Sequence, residues 1–190
     1  GAVVDLDPPL PMPSSEMAEL FVTLLRGATS ARLTSEAVKA LQEKARSFAI
    51  DDFSYDALMH RGLTQSHRDW LAAHDRRHVL EHAWRAFFER YDALICPATT
   101  TPAFPHMRGL PKIEQFFYVD GGKRPAADNY YWIGIPSLAR LPATAIPIGS
   151  SPQGLPVGAQ IIGPAFADKR CIRLAQLIET SFRRFVPPPH

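Results

Sequence analysis

The amino-acid sequence predicts an α/β protein in which a mixed β-sheet of parallel and antiparallel strands is flanked by helices. Two short apolar runs, residues 143–148 and 157–162, lie on either side of a loop rich in Gly, Ser and Pro. Such runs are typical of buried strands, and the loop predicts that the two are neighbours, with a hairpin as one arrangement. A third run, residues 93–97, follows a long helical pattern almost directly, which is typical of α/β folds.

Two predicted helices lie before and after these strands in the sequence. The longer covers residues 66–91, where Ser66 and Asp69 form a variant of the capping box and apolar residues recur at helical spacing. The chain closes with a helix over residues 169–184, for which Asp168 is the predicted N-cap. These helices supply the layers that would cover the sheet.

The beginning of the chain also contains helical patterns. Ser14 or Ser15 is the predicted N-cap of a helix that Gly27 ends, and either Thr34 or Ser35 is predicted to start the next helix. The apolar run at residues 2–6 is predicted to be a strand. Because that strand would stand at the very start, we expect the chain to be part of something longer.

Residues 99–129 show no sustained period and contain several prolines and glycines. A long loop without regular structure inside a compact domain is usually functional or disordered. The aromatic residues in and just after it argue against disorder, because so much aromatic surface favours burial. We therefore predict a loop that covers or lines a cavity.

Composition makes several function classes poor candidates. The 190 residues are 46% hydrophobic with a net charge of +2, and the Lys and Arg residues are scattered, which gives little support to nucleic-acid binding. No apolar run approaches the roughly twenty residues of a membrane span. Cys96 and Cys171 are far apart in the sequence and are predicted to be inert core thiols, which fits a cytoplasmic protein.

Several stretches near the C-terminus resemble a known family. Residues 154–160 read GLPVGAQ, residues 141–144 LPAT, residues 146–149 IPIG and residues 185–189 FVPPP. Together they resemble the C-terminal end of amidase signature enzymes, in particular bacterial amidases that hydrolyse carboxamides. The resemblance implies an incomplete amidase signature fold, in which residues 1–190 are the C-terminal portion of one amidase domain and the catalytic N-terminal half is absent.

The same resemblance implies what chemistry to expect. Amidase signature enzymes use a Ser–Ser–Lys triad, which belongs to their N-terminal half, together with a glycine-rich loop as oxyanion hole. We therefore expect no catalytic residue in this chain, since its five lysines all lie in polar or charged contexts: Lys39, Lys44, Lys112, Lys123 and Lys169. No metal or organic cofactor is implied. The expected partners are a small amide substrate and the missing N-terminal half, and we expect the chain alone to self-associate.

Substrate contact is the one site role expected within the chain. By resemblance, the segment before the LPAT stretch contributes to the acyl pocket, so Tyr131, Trp132 and Ile135 are predicted to contact substrate. The alternative is that they are plain core residues. Gly154 and Gly158 are expected to be backbone requirements, one ending a turn and one allowing close approach of a strand.

Two other groups of residues carry weaker chemical signals. Ser150 and Ser151 follow a glycine, but no lysine lies near them and a turn role is favoured. Histidines 74, 78 and 82 would share a helix face, a spacing that can bind zinc. Because charged residues surround them and no HExxH pattern is present, a solvated face is favoured over a metal site.

Two alternative functions stay open beside the free-standing amidase. The chain is also compatible with the glutaminase subunit of a tRNA-dependent amidotransferase, which belongs to the same family. A non-catalytic interaction or scaffold module is the alternative from another class. An upstream Gly-Gly-Ser-Ser-Gly motif preceded by a distant lysine would favour an enzyme over the module.

Overall fold

The computed structural model describes residues 1–111, 114–182 and 184–187. In this part of the chain there are six α-helices: α1 (Ser14–Thr29), α2 (Ser35–Arg46), α3 (Tyr55–Thr64), α4 (His67–Arg90), α5 (Tyr130–Ala139) and α6 (Asp168–Ser181). The strands of the same residues are β1 (Leu94–Pro97), β2 (Phe116–Val119), β3 (Gly122–Pro125), β4 (Ala143–Ser150) and β5 (Pro156–Ile162). The predicted α/β class is confirmed. No helix of the described residues is long and apolar enough to cross a bilayer.

A three-stranded sheet with the order β1-β5-β4 forms the centre of the C-terminal half. The predicted hairpin is present: β4 pairs with β5 in antiparallel register, with an irregularity between Pro147 and Gly149. β1 pairs with the other edge of β5 and is also antiparallel. All strand pairs among the described residues are therefore antiparallel. The sequence predicted parallel pairs as well, and that prediction is wrong. The short 151–155 loop reverses the chain, so β4 and β5 must run in opposite directions.

The main core lies between helices rather than on the sheet. Leu20 of α1 meets Leu80 and Trp84 of α4 there, all almost completely buried, and α5 closes the cluster with Ile135 and Leu138. A smaller cluster joins the sheet to α6 through Cys171. Burial of such side chains stabilises a fold by roughly 1.5–3 kcal/mol each, so these two clusters hold the helices and the sheet in place.

Of the four predicted helix caps, two are confirmed and two are wrong. α1 begins at Ser14 after Pro13, and no side chain caps it, because the serines already lie inside the first turn. The hydroxyl of Thr34 accepts a hydrogen bond from the backbone of α2, and Ser66 with Asp69 forms the capping box of α4, as predicted. Asp168 is instead the first residue of α6, after Ala167, and its side chain makes no cap hydrogen bond. Its carboxylate still lies in the first helical turn, where negative charge is favourable.

Two other predictions about local structure are wrong, those for Gly27 and for residues 2–6. Gly27 lies inside α1 and does not end it; its missing side chain leaves room for the indole of Trp70. Residues 2–6 are exposed and form no strand. At Gly158 a Cβ atom would lie 3.4 Å from the carbonyl oxygen of Ile146, at the boundary of ordinary contact, so a requirement for glycine there stays a prediction. Gly154 does require glycine, because its φ is +80°.

The unpredicted elements lie next to one another. Residues 116–125 form a two-stranded hairpin in which Val119 pairs with Gly122. The two residues between them, Asp120 and Gly121, have φ values of 50° and 77°, as a type I′ turn requires. Together with α3 and α5, which were also not predicted as helices, this hairpin surrounds a cavity.

Candidate functional site

A cavity of about 630 Å³ lies where α1, α3, α5 and the β2–β3 hairpin meet. Most of its walls are apolar and aromatic, and its polar side chains are few, as in sites for small organic ligands. The lining residues from the helices are Ala18, Phe21, Val22, Tyr55, Leu58, Tyr130, Tyr131 and Trp132; Phe53, Thr100, Val119, Asp120, Gly122, Arg124, Ala127 and Asp128 come from the loops and hairpin.

The helices place their lining residues through ordinary helical spacing. Ala18 and Val22 are four residues apart in α1 and therefore lie on one face of that helix. Three successive aromatic residues begin α5, and because successive helical residues point about 100° apart, they line more than one side of the cavity. The cavity is thus a product of helix packing rather than of the sheet.

The structure separates the three residues predicted to contact substrate. Tyr131 and Trp132 both line the cavity, with their rings edge to face and the centroids 4.8 Å apart. Ile135 is only 2% exposed and belongs to the helical core, away from the cavity lining. Geometry therefore places two of the three at a position suited to ligand contact, and substrate contact by any of them stays a prediction.

A buried glutamine connects the cavity to the sheet. Gln160 of β5 is 6% exposed, and its amide nitrogen donates to the carbonyl oxygen of Trp132 at 2.9 Å and to that of Pro97 at 3.1 Å. Three elements, β1, β5 and α5, are therefore joined by one side chain. The sequence predicted no role for this residue beyond its place in the GLPVGAQ stretch; a lone amide within an apolar strand was the signal of its structural role.

Polar contacts fix the loop side of the cavity. The Arg124 guanidinium donates to the Asp128 carboxylate at 2.7 Å, four residues further along the chain. Thr100 follows β1 and donates through its hydroxyl to the carbonyl oxygen of Asp128 at 3.2 Å and through its backbone to the side chain of Asn129 at 3.1 Å. These contacts attach the hairpin and the start of α5 to the loop after the sheet.

Tyr55 and Tyr130 line the cavity, and Arg26 of α1 contacts both of their rings. The Arg26 guanidinium donates to the Tyr55 hydroxyl and lies 5.5 Å from the centroid of that ring and 6.0 Å from that of Tyr130. The two tyrosine rings stack with centroids 5.9 Å apart. Burial raises the pKa of Tyr55, although the nearby Arg26 charge opposes this shift. The phenol therefore stays protonated at neutral pH.

Other candidate groups have structural contacts of their own. The Ser151 hydroxyl accepts hydrogen bonds from the backbone of Gln153 and Leu155, both at 3.3 Å, which agrees with the predicted turn role. His74 contacts Trp70 and two arginines, and no group of three or more potential metal ligands occurs within residues 1–111, 114–182 and 184–187. Burial raises the pKa of the Cys96 thiol to about 11, so it is unreactive at neutral pH.

The family of the chain follows from a match that spans most of it. A family model described as Amidase matches residues 3–172. The chain belongs to the amidase signature family. The predicted resemblance is thereby confirmed, since the matched residues include the cavity lining and all three strands of the sheet.

The curated relatives of this chain include amidotransferase subunits, and each of these matches it over only a part of its own length. A mitochondrial glutamyl-tRNA(Gln) amidotransferase subunit from mouse (Mus musculus) is 33% identical over 104 residues, which are 55% of this chain and 18% of that protein. The corresponding bacterial protein of Acidothermus cellulolyticus is 34% identical over 108 residues, covering 56% of this chain and 19% of that protein. The alignments therefore span about a fifth of these relatives.

Solved structures show the same partial coverage. A crystal structure of an amidase matches with a TM-score of 0.60 and 25% identity over 88% of this chain and 36% of the other. A bacterial aryl acylamidase of the amidase signature family matches with a TM-score of 0.63 and 18% identity, over 94% of this chain and 36% of its own. The second match, at this identity, concerns the fold alone.

Proposed function

We propose that this chain is the C-terminal portion of an amidase that hydrolyses carboxylic acid amides at the C–N bond. The Ser–Ser–Lys triad of the family would be supplied by sequence outside residues 1–190, and this chain would supply part of the substrate pocket. The observation that carries the proposal is the aromatic cavity of about 630 Å³ inside the region matched to the amidase family. An aromatic wall suits a pocket that excludes water around a carboxamide.

The edges of the sheet support an interaction with further sequence. β1 and β4 are the edge strands of the three-stranded sheet, and each presents an exposed isoleucine, Ile95 at 51% and Ile148 at 52% exposure. Open edge strands beside apolar side chains favour association with other strands. The N-terminal half of the amidase is the partner that we propose for these edges, and without it the chain is expected to self-associate.

The experiment compares the 190-residue chain with the longer protein that contains it. Both are assayed with simple aliphatic and aromatic amides and sized by light scattering. We expect turnover by the longer protein only, and a mass above that of a monomer for the chain alone. Turnover by the chain that Ser150→Ala or Ser151→Ala abolishes would refute the proposal, and a monodisperse monomer would contradict the role of the two edges.

A second candidate is the glutaminase subunit of a tRNA-dependent amidotransferase. The observation that favours it is the 33–34% identity to glutamyl-tRNA(Gln) amidotransferase subunits of mouse and Acidothermus cellulolyticus. The two candidates differ in substrate range. Hydrolysis of glutamine alone, stimulated by partner proteins and aminoacylated tRNA, would favour the glutaminase, whereas hydrolysis of several unrelated amides by the isolated protein would favour the free-standing amidase.

A further inference from the structure

Arg26 lies beside the cavity, one helical turn beyond the cavity residue Val22 of α1. It lies four residues after Val22 and eight after Ala18, so it continues along α1 the face that those two cavity residues present. Its guanidinium contacts the hydroxyl of Tyr55, which itself lines the cavity. A positive charge therefore stands at the α1–α3 end of a mostly apolar cavity, immediately behind its tyrosine wall.

This charge has no counter-ion among the described residues. No carboxylate there forms an ion pair with Arg26, whereas Arg124, an arginine that lines the cavity, is paired with Asp128. The Nε atom of Arg26 is buried without a hydrogen-bond partner in that same part of the chain. Partly buried charges are normally paired, because leaving water without a partner is costly. The arrangement therefore favours an anion at this end of the cavity.

Tyr55 is the group that such an anion would meet. Its oxygen accepts the hydrogen bond from Arg26, which leaves the phenolic O–H free to donate to a ligand. Hydrogen bonds that involve charged groups are about twice as strong as neutral ones. The neighbouring guanidinium also makes the phenol a better donor, since it withdraws electron density from the oxygen.

We propose that Tyr55, with Arg26 behind it, binds a carboxylate of the substrate, so that the amides taken by this protein carry an anionic group. This inference rests on the proposed amidase function and narrows its substrate class. In it Tyr55 contacts the substrate directly, and Arg26 is a positioning residue that acts through Tyr55.

The test uses matched substrates and matched ligands with the longer protein that contains this chain. The substrates are 4-carbamoylbenzoate and 4-methylbenzamide, which differ mainly by a carboxylate in place of a methyl group. The ligands, titrated by calorimetry, are 4-methylbenzoate and 4-methylbenzyl alcohol. The variants are Tyr55→Phe, Arg26→Met and Arg26→Lys, with Arg76→Met as control, because Arg76 contacts Glu19 of α1 from outside the cavity.

We expect Tyr55→Phe and Arg26→Met to lower the charged-to-neutral ratio of kcat/KM by roughly tenfold or more, the loss expected for one hydrogen bond to a charged group. Arg26→Lys keeps the charge and should retain part of the ratio. Arg76→Met should leave the ratio as it is. Tyr55→Phe removes a single oxygen. If Arg26→Met does not fold, this variant still tests whether Tyr55 binds the carboxylate.

Equal losses for the two substrates would overturn the proposal, because a structural role affects both alike. A ratio that responds only to Arg124→Met would overturn it too, since the anion would then bind at Arg124 instead. If no amide is hydrolysed but 4-methylbenzoate binding still depends on Tyr55, the amidase function fails and the anion site stands. If the protein shows neither amide turnover nor selective binding of 4-methylbenzoate, both the amidase function and the anion site are refuted.

Discussion

The sheet with α6 and the wall of the cavity differ in how tightly they are packed. In the sheet, Ile161 and Ile162 are fully buried, and Gly163 lies against the thiol of Cys171. In the cavity wall, Tyr131 and Trp132 are half-buried, and the β2–β3 hairpin contributes one buried side chain, Phe117. The junction of β5 and α6 leaves no room for an added atom at Gly163, whereas the cavity wall leaves aromatic surface free for a ligand.

This difference indicates that the two regions have different roles. Close-packed interiors lose stability when even a small group is added or removed. A wall around a cavity has fewer such constraints, so its side chains can change what the pocket accepts at little cost to the fold. We therefore expect substitutions in the sheet to alter mainly the free energy of unfolding, and those in the wall to alter mainly substrate preference.

The largest expected effect is that of Gly163→Val. A Cβ atom at this buried position, directly after β5, would lie 2.5 Å from the sulfur of Cys171, so the buried thiol or α6 itself must shift. We expect a loss of about 3 kcal/mol in the free energy of unfolding, at the upper end of overpacking costs. Urea unfolding followed by circular dichroism measures it.

Gly149→Val is the matched control in the same sheet. A Cβ atom there meets nothing within 4 Å, and the residue has no positive φ. Its unfolding midpoint should stay close to that of the unaltered chain. Similar losses for the two valine variants would show that the contact with Cys171 is not what limits packing in this region.

Gln160→Leu tests the connection between the two regions and has the next largest effect. Leucine fills a similar volume but leaves the carbonyl oxygens of Pro97 and Trp132 without their donor. We expect a loss of about 2 kcal/mol in unfolding free energy, typical of buried polar groups left unpaired. Gln153→Leu, in the exposed loop, should cost almost nothing. If both variants are equally stable, Gln160 does not hold α5 to the sheet.

The elements of the first region could be predicted because their signals are local. Short apolar runs bounded by Gly and Pro identified β4 and β5, and Ser66 with Asp69 identified the start of α4. The roles of the glycines were harder to predict, because they depend on neighbours that are distant in the sequence. Gly27 and Gly163 make room for Trp70 and Cys171, contacts that no local pattern contains.

The cavity could be predicted only in part, because it arises from tertiary packing. An aromatic cluster in an irregular segment indicated a cavity loop, but α3 and α5 were not recognised as helices. The Asp120–Gly121 pair is a strong local signal for the hairpin of β2 and β3, and it was missed. Arg26 and Tyr55 are 29 residues apart, and nothing in the sequence brings them together.

Trp132→Ala tests whether the cavity wall, rather than the sheet, determines substrate preference. In the longer protein that we propose, we expect a change of about tenfold in relative kcat/KM among amides with different acyl groups, as a modest loss of pocket contact produces. Ile133→Ala is the control, because Ile133 is 40% exposed and does not line the cavity. An unchanged substrate profile would mean that Trp132 serves the core and not recognition.

Gly121→Ala has the smallest expected effect and tests how independent the hairpin is. Gly121 has a φ of +77° and nothing within 4 Å of a Cβ atom, so alanine there meets only backbone strain, of about 1 kcal/mol. Because the hairpin buries little, we expect this cost to appear as local opening. Amide hydrogen exchange in β2 and β3 should accelerate about fivefold while the global unfolding midpoint stays unchanged.

Asp120→Asn is the control, because asparagine tolerates the left-handed region, and it should not accelerate exchange. A shift of the global midpoint as large as that of Gly163→Val would instead show that the cavity wall is as tightly coupled to the fold as the sheet is.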